Sequence, residues 1–200
     1  MVYSLDQTKI ITLNEFGEDR FISELKTLRE MNHPSDERNR DWLSHLPNTF
    51  RESRYKEWFF LMEEDKMLAF ATIQPFYNRC YRMVTRLYQI PEIRRFTEPR
   101  FDKHFSPSLR LLTHQISYLN DQWDTLFISV QDTSRHSFAH RYINKLEYRT
   151  GRMWIVNNQL MQMGADKNNP DYWQNVMYTG LKPKLNEMTI TEWNERWKKR

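Results

Sequence analysis

At 200 residues the chain has room for one domain, or for one domain with an extension. Hydrophobic residues make up 39% and charged residues 28%, so a packed core and a solvated surface fit in the same chain. The net charge of +4 and the pI near 9.1 are only mildly basic, and the cations are dispersed among 26 acidic residues, so nucleic-acid binding, which concentrates charge on one face, is not expected.

Rings and sulfur dominate the apolar set, with 12 Phe, 10 Tyr, 7 Trp and 10 Met. No apolar run reaches the ~20 residues that a membrane span needs. The N-terminus lacks the basic-then-apolar pattern of a signal peptide. The single cysteine, Cys80, excludes an internal disulfide and any zinc site built from several thiolates. A cytoplasmic protein without a membrane anchor or a resident metal is the expectation.

In chain order, Lys9 to Leu13 reads as a short strand. Phe21, Leu25 and Leu28 recur at helical spacing and predict a helix from Gly17 to Met31, ended by His33-Pro34. Ser35 is a candidate cap for a second helix, with Trp42, Leu43 and Leu46 on its apolar side and Pro47 closing it. Glu57 to Met62 predicts a strand, Glu63 to Lys66 a polar turn, and Met67 to Ile73 the returning strand, stopped by Gln74-Pro75. Asn78-Arg79 is a second turn, and Tyr81 to Ile90 a third strand of the same meander. Pro91 to Phe105 has no apolar period and reads as a loop.

Ser106-Pro107 then starts a helix, serine at the cap and proline at the first helical position. Leu109, Leu112, Ile116 and Leu119 form its stripe. Thr125 to Val130 is a short buried strand, and Ser134 to Leu146 a helix with Phe138, Tyr142 and Ile143 as candidate inward residues. Met153 to Met163 is strand-like, with a tight turn at Asn157-Asn158. Trp173, Val176 and Met177 suit a short helix or a strand, and Thr191 to Trp197 a final helix capped by Thr191. The order predicts an α/β (α+β) domain on one mixed sheet.

Several side chains have two readings. Arg94, Arg95, Arg100 and Lys103 form either a phosphate clamp or a solvated loop paired with Glu92, Glu98 and Asp102. His136 and His140 stand four apart on a predicted helix, but no third metal ligand accompanies them. Cys80 reads as a buried structural thiol, and Glu63-Glu64-Asp65 as an ordinary polar turn.

The meander ends in Leu87-Tyr88-Gln89-Ile90-Pro91-Glu92-Ile93-Arg94-Arg95. This resembles the L-x-V-x-P-E-x-R-G-x-G-x-G segment of the GNAT (Gcn5-related) N-acetyltransferases, with the leucine, the Pro-Glu pair and the arginine in register. Downstream, Ala139, Leu146 and Tyr148 fit part of that family's N-x-x-A-x-x-x-Y-x-x-L-G-F helix. The resemblance covers Lys56 to Met163, just over half of the chain. It implies a mixed, mostly antiparallel sheet with helices on both faces. It places a GNAT-like acyl-CoA-binding domain at 1–163 and a C-terminal extension on the same domain at 164–200.

It also implies acetyl-CoA or another acyl-CoA as co-substrate, no metal, and a primary amine of a small molecule or peptide as acceptor. It leaves room for a homodimer and needs no membrane. By the same resemblance, the backbone at Tyr88 and Gln89 holds the thioester and pantetheine arm. Arg94, Arg95, Thr97, Ser106 and Ser108 hold the phosphates, and Tyr142 is the candidate general acid. The chain departs from the family at Thr97 and Pro99, which replace loop glycines; proline has no N–H to offer a phosphate. His136 stands at the family's asparagine and Ile143 at its tyrosine, with Tyr142 one step away. A binding protein with a degenerate cofactor loop is the alternative these departures imply.

Overall fold

The computed structural model describes residues 7–31, 37–90, 93, 106–131 and 136–197, with the backbone alone at 31, 37–42 and 136–141. The chain divides into two compact units: Met1–Pro75 with Val84–Tyr118, and Phe76–Met83 with Leu119–Arg200.

In the first unit, strand β1 (Thr8–Thr12) leads through a single helical turn, α1 (Leu13–Phe16), to α2 (Glu18–Met31). The predicted strand therefore stops before Leu13, because the Thr12 amide and hydroxyl both donate to the Glu15 carboxylate and open a helix there. Gly17, at φ 90°, separates α1 from α2. Helix α3 (Glu37–Thr49) follows and contains Pro47 rather than ending at it. The Phe50 amide still reaches the Leu46 carbonyl at 2.9 Å, so the helical hydrogen bonding continues past the ring. Ser35 and the Trp42 side chain lie outside the described residues.

Strands β2 (Glu57–Glu63), β3 (Lys66–Tyr77) and β4 (Cys80–Gln89) form the predicted meander, with β1 antiparallel to β2. β3 runs through Pro75, its predicted end, to Tyr77. The β2 ladder reaches only from Glu63–Lys66 to Glu57–Ile73, so Pro75 lies past it, where β2 asks for no N–H.

Alternation along β2 sends neighbouring rings to opposite faces. Phe60 stacks on Phe16 (4.3 Å between centroids) and meets Phe21 edge-on (4.9 Å). Phe59 instead meets His114 and Tyr118, on α4 (Pro107–Leu119), at 5.3 and 5.2 Å. Helices thus cover both faces of this sheet. Phe21 is the centre of the larger cluster, touching Phe50, Trp58 and Phe70 as well.

In the second unit, Cys80–Arg82 of β4 runs parallel to Thr125–Phe127 of β5 (Thr125–Val130). Among the described residues this ladder is parallel, whereas β1–β2, β2–β3, β5–β8, β6–β8, β7–β8 and β7–β9 are antiparallel. β5 pairs along its length with β8 (Trp173–Gly180). The other edge of β8 takes β6 (Ile155–Val156) and then β7 (Leu160–Gln162), and β7 takes β9 (Glu187–Met188). The segment around Trp173, open between helix and strand in the sequence, is therefore a strand. Asn157-Asn158 does divide β6 from β7.

Cys80, Phe127, Met161, Met163, Val176 and Tyr178 form one core cluster of this unit, with Phe76 packed against it. Gly180, at φ 83°, lets the chain pass so near Asp124 that a Cβ would sit 2.2 Å from its carbonyl oxygen. Helices α5 (His136–Thr150) and α6 (Ile190–Trp197) complete the unit. α6 is capped by Thr189, not Thr191: the Thr189 hydroxyl accepts the Glu192 amide (3.1 Å), and the Glu192 carboxylate accepts the Thr189 amide (2.8 Å). Among the described residues, no helix is long and apolar enough to cross a membrane.

Candidate functional site

The sequence motif falls on the end of β4, and β4 is not a regular strand. Val84 has φ 44° and Arg86 has φ 54°. For a β-branched residue the left-handed region is an outlier; such a residue costs about 1–3 kcal/mol and persists only where its surroundings hold it there. What holds Val84 is Gln115 of α4: its Oε1 accepts the Val84 amide at 2.8 Å. Gln115 is fully buried.

Because the Val84 amide can only donate, the Gln115 carboxamide must present its oxygen there and its Nε2 elsewhere. That Nε2 is buried with no hydrogen-bond partner among the described residues. An unpaired buried donor costs about 1–3 kcal/mol. Two unfavourable features thus meet at one contact between β4 and α4.

Past the kink, the Tyr88 ring is 1% exposed and stacks on Phe70 at 5.5 Å, so the ring is committed to the core. Gln89, the last residue of β4, is half-buried. Of the segment that follows, predicted as a loop, only Ile93 is described; it is helical rather than loop, it is buried, and its amide reaches the Ile90 carbonyl at 3.1 Å. Arg94, Arg95, Thr97, Arg100 and Lys103 lie outside the described residues.

The chain re-enters at α4 as the Ser106-Pro107 pair predicts. The Ser106 hydroxyl accepts the Leu109 amide (3.4 Å), and its carbonyl accepts the Arg110 amide (2.9 Å). The Ser106 and Ser108 hydroxyls are 3.1 Å apart, so two of the predicted site residues stand together at the helix start. Backbone donors at such an end, with the positive end of the helix dipole, favour an anion.

Tyr142 belongs to the second unit. It is half-buried on α5, as is Ile143, while Leu146 four residues on from Tyr142 is fully buried. The side chains of His136 and His140 lie outside the described residues. Among the described residues no three potential metal ligands gather. Cys80 is 1% exposed, and burial pushes its thiol up from the ordinary value. His114 is pushed down, first by burial, with Glu15 opposing and Arg110 adding to the effect.

Sequence reasoning missed Val84 and Gln115. No glycine marks the kink, although a glutamine interrupting the Leu109-Leu112-Ile116-Leu119 stripe was a visible signal that a polar group is taken inward.

No protein-family model matches the chain, and no curated protein does. Solved structures do. A probable acetyltransferase from Staphylococcus epidermidis superposes with a TM-score of 0.51 at 16% identity, over 88% of this chain and 99% of that one. The PaiA N-acetyltransferase of Thermoplasma acidophilum, in complex with coenzyme A, gives 0.51 at 14% identity, over 87% and 99%. A spermidine N-acetyltransferase chimera of Vibrio cholerae SpeG and hSSAT gives 0.51 at 10% identity, over 87% and 95%. The chain has the fold of the GNAT-type N-acetyltransferases.

Proposed function

We propose that this protein is an N-acyltransferase that takes its acyl group from an acyl-CoA, with acetyl-CoA the leading candidate, and transfers it to a primary amine. The observation that carries the reading is the position of Leu87 to Gln89, the described start of the Leu87-to-Arg94 match, at the end of β4 on this fold. The serine-capped start of α4 next in the chain supports it. One structural neighbour is by name a spermidine N-acetyltransferase, which supports an amine acceptor. The cytoplasm is the compartment the reading implies, and the lone buried thiol suits it. Residues 164–200 are read as an extension packed on the same domain as 1–163, and the β7–β8 ladder, which joins Met161-Gln162 to Gln174-Trp173, supports that packing.

In the proposed reaction the acceptor ammonium first loses a proton to a base. The amine then attacks the thioester carbonyl carbon. The tetrahedral intermediate gives its second nitrogen proton to solvent, collapses to the amide and expels the CoA thiolate, which takes a proton from the Tyr142 phenol; solvent then returns a proton to the phenolate. Backbone at Tyr88 and Gln89 holds the thioester and the pantetheine arm. Arg94, Arg95, Thr97, Ser106 and Ser108 hold the phosphates, with arginine forks compensating for the glycines that Thr97 and Pro99 replace. Those replacements also favour a second reading, a non-catalytic binding protein on the same fold.

A thermal-shift titration separates the two. Acetyl-CoA is expected to raise the melting temperature; a ligand at a hundredfold excess over its Kd adds about 2.7 kcal/mol to a folded state it binds alone. Arg94→Ala should weaken CoA binding by about 1.5–3 kcal/mol, and Arg100→Ala, outside the matched register, by much less. Absence of any shift at millimolar acetyl-CoA or CoA would overturn the cofactor assignment.

A further inference from the structure

The kink in β4 and the orphan donor on α4 have one common residue. Gln115 uses its oxygen to keep the Val84 amide out of a strand ladder, and this leaves its Nε2 buried and unpaired among the described residues. A resident water would need two or more polar partners to sit there. Of the α4 side chains around Gln115, Leu111, Leu112, Ile116 and Leu119 are buried and apolar and offer none, and the rings of His114 and Tyr118 are turned to Phe59. A neutral NH₂ group only donates, so its missing partner is an acceptor, and its lack of charge suits an uncharged acceptor better than a phosphate. The arm of an acyl-CoA carries such acceptors, in its amide carbonyls and its thioester carbonyl.

We propose that Gln115 is a positioning residue whose Oε1 pins the β4 kink at Val84 and whose Nε2–H donates to a carbonyl oxygen on the arm of the bound acyl donor. This rests on the acyl-CoA reading above. One side chain then sets both the shape of the strand and the depth of the arm against it. Gln115 forms and breaks no covalent bond in this role.

The test compares the native protein with Gln115→Met, which keeps the shape of the side chain and removes both polar atoms. Affinities are measured for acetyl-CoA, for CoA and for 3′-phospho-ADP, the nucleotide half that lacks the arm. The variant is expected to lose about tenfold in acetyl-CoA affinity while binding 3′-phospho-ADP as the native protein does. An equal loss with CoA assigns the bond to an arm amide, and a loss confined to acetyl-CoA assigns it to the thioester.

A second measurement needs no variant to fold. In isotope-labelled native protein the Gln115 side-chain NH₂ resonance should move on saturation with acetyl-CoA and stay in place with 3′-phospho-ADP. Native protein that binds acetyl-CoA with this resonance unmoved overturns the proposal alone. So does a variant that binds all three ligands like the native protein, or loses all three alike. Native protein that binds no acetyl-CoA overturns the acyltransferase reading, and this inference with it.

Discussion

Tyr142 and Ile143 show what a one-residue offset means. The family pattern sets its tyrosine on Ile143, which has no proton to give, and the phenol stands one position earlier. One step along a helix turns a side chain by about 100°, and both residues are half-buried on α5. A phenol, with an unperturbed pKa of about 10, is able to protonate a leaving thiolate. Tyr142→Phe keeps the ring and removes only the hydroxyl. Turnover is expected to fall by about 10²–10⁴ with CoA affinity unchanged. Unchanged turnover in steady-state assays would move the proton source to water or another group.

At the scale of elements, β4 is where local preference and tertiary structure disagree most. Valine favours a regular strand, yet Val84 is held at φ 44° by a side chain from a helix 31 residues away in sequence. Val84→Gly removes the strain and adds the chain entropy of glycine, so its stability is expected within about 1 kcal/mol of the native protein. Thr85→Gly, next to it in ordinary strand conformation and 7% exposed, removes a buried side chain and is expected to lose clearly more. Urea melts compare the two, and equal losses would mean that Val84 carries no strain.

The same comparison explains what the sequence made legible. Alternating rings in Glu57–Met62 and the turn residues after them specify the meander, and Ser106-Pro107 marks the start of α4. The prolines misled. Helix α3 continues through Pro47, and Pro75 lies past the β2 ladder where its missing N–H is not needed, a property of neighbours rather than of the residue. Thr189 was overlooked in favour of Thr191, although Glu192 three positions after Thr189 completes its capping box. The site was legible in part. Its motif could be read along the chain, whereas Val84 and Gln115 act through a long-range contact that no local pattern encodes.

Across the whole molecule, acid should act in two stages. His114 has a folded-state value below its ordinary 6.5, with burial the main cause. A depressed value means that the unfolded chain takes up the proton first. Stability is therefore present above 6.5 and is lost as pH falls through the lower folded-state value. Glu15 and Glu192 are also depressed, chiefly by the Thr12 and Thr189 backbone amides. Their contribution is present above 4.5 and is lost as pH falls through their folded-state values. Melting temperature should thus fall below 6.5 and again below 4.5. His114→Gln should flatten the first fall and leave the second. A first fall that persists in the variant would assign it elsewhere.

Cys80 begins β4, at the head of the parallel ladder with Thr125, and it is the only thiol in the chain. Buried and raised in pKa, it is shielded from thiol reagents while that ladder stays closed. The protein therefore carries a built-in chemical clock: the rate at which a maleimide or disulfide reagent consumes its one sulfur measures how often this part of the sheet opens. For the same reason, a cysteine introduced at an exposed position would accept a fluorophore selectively, with the native thiol left in place.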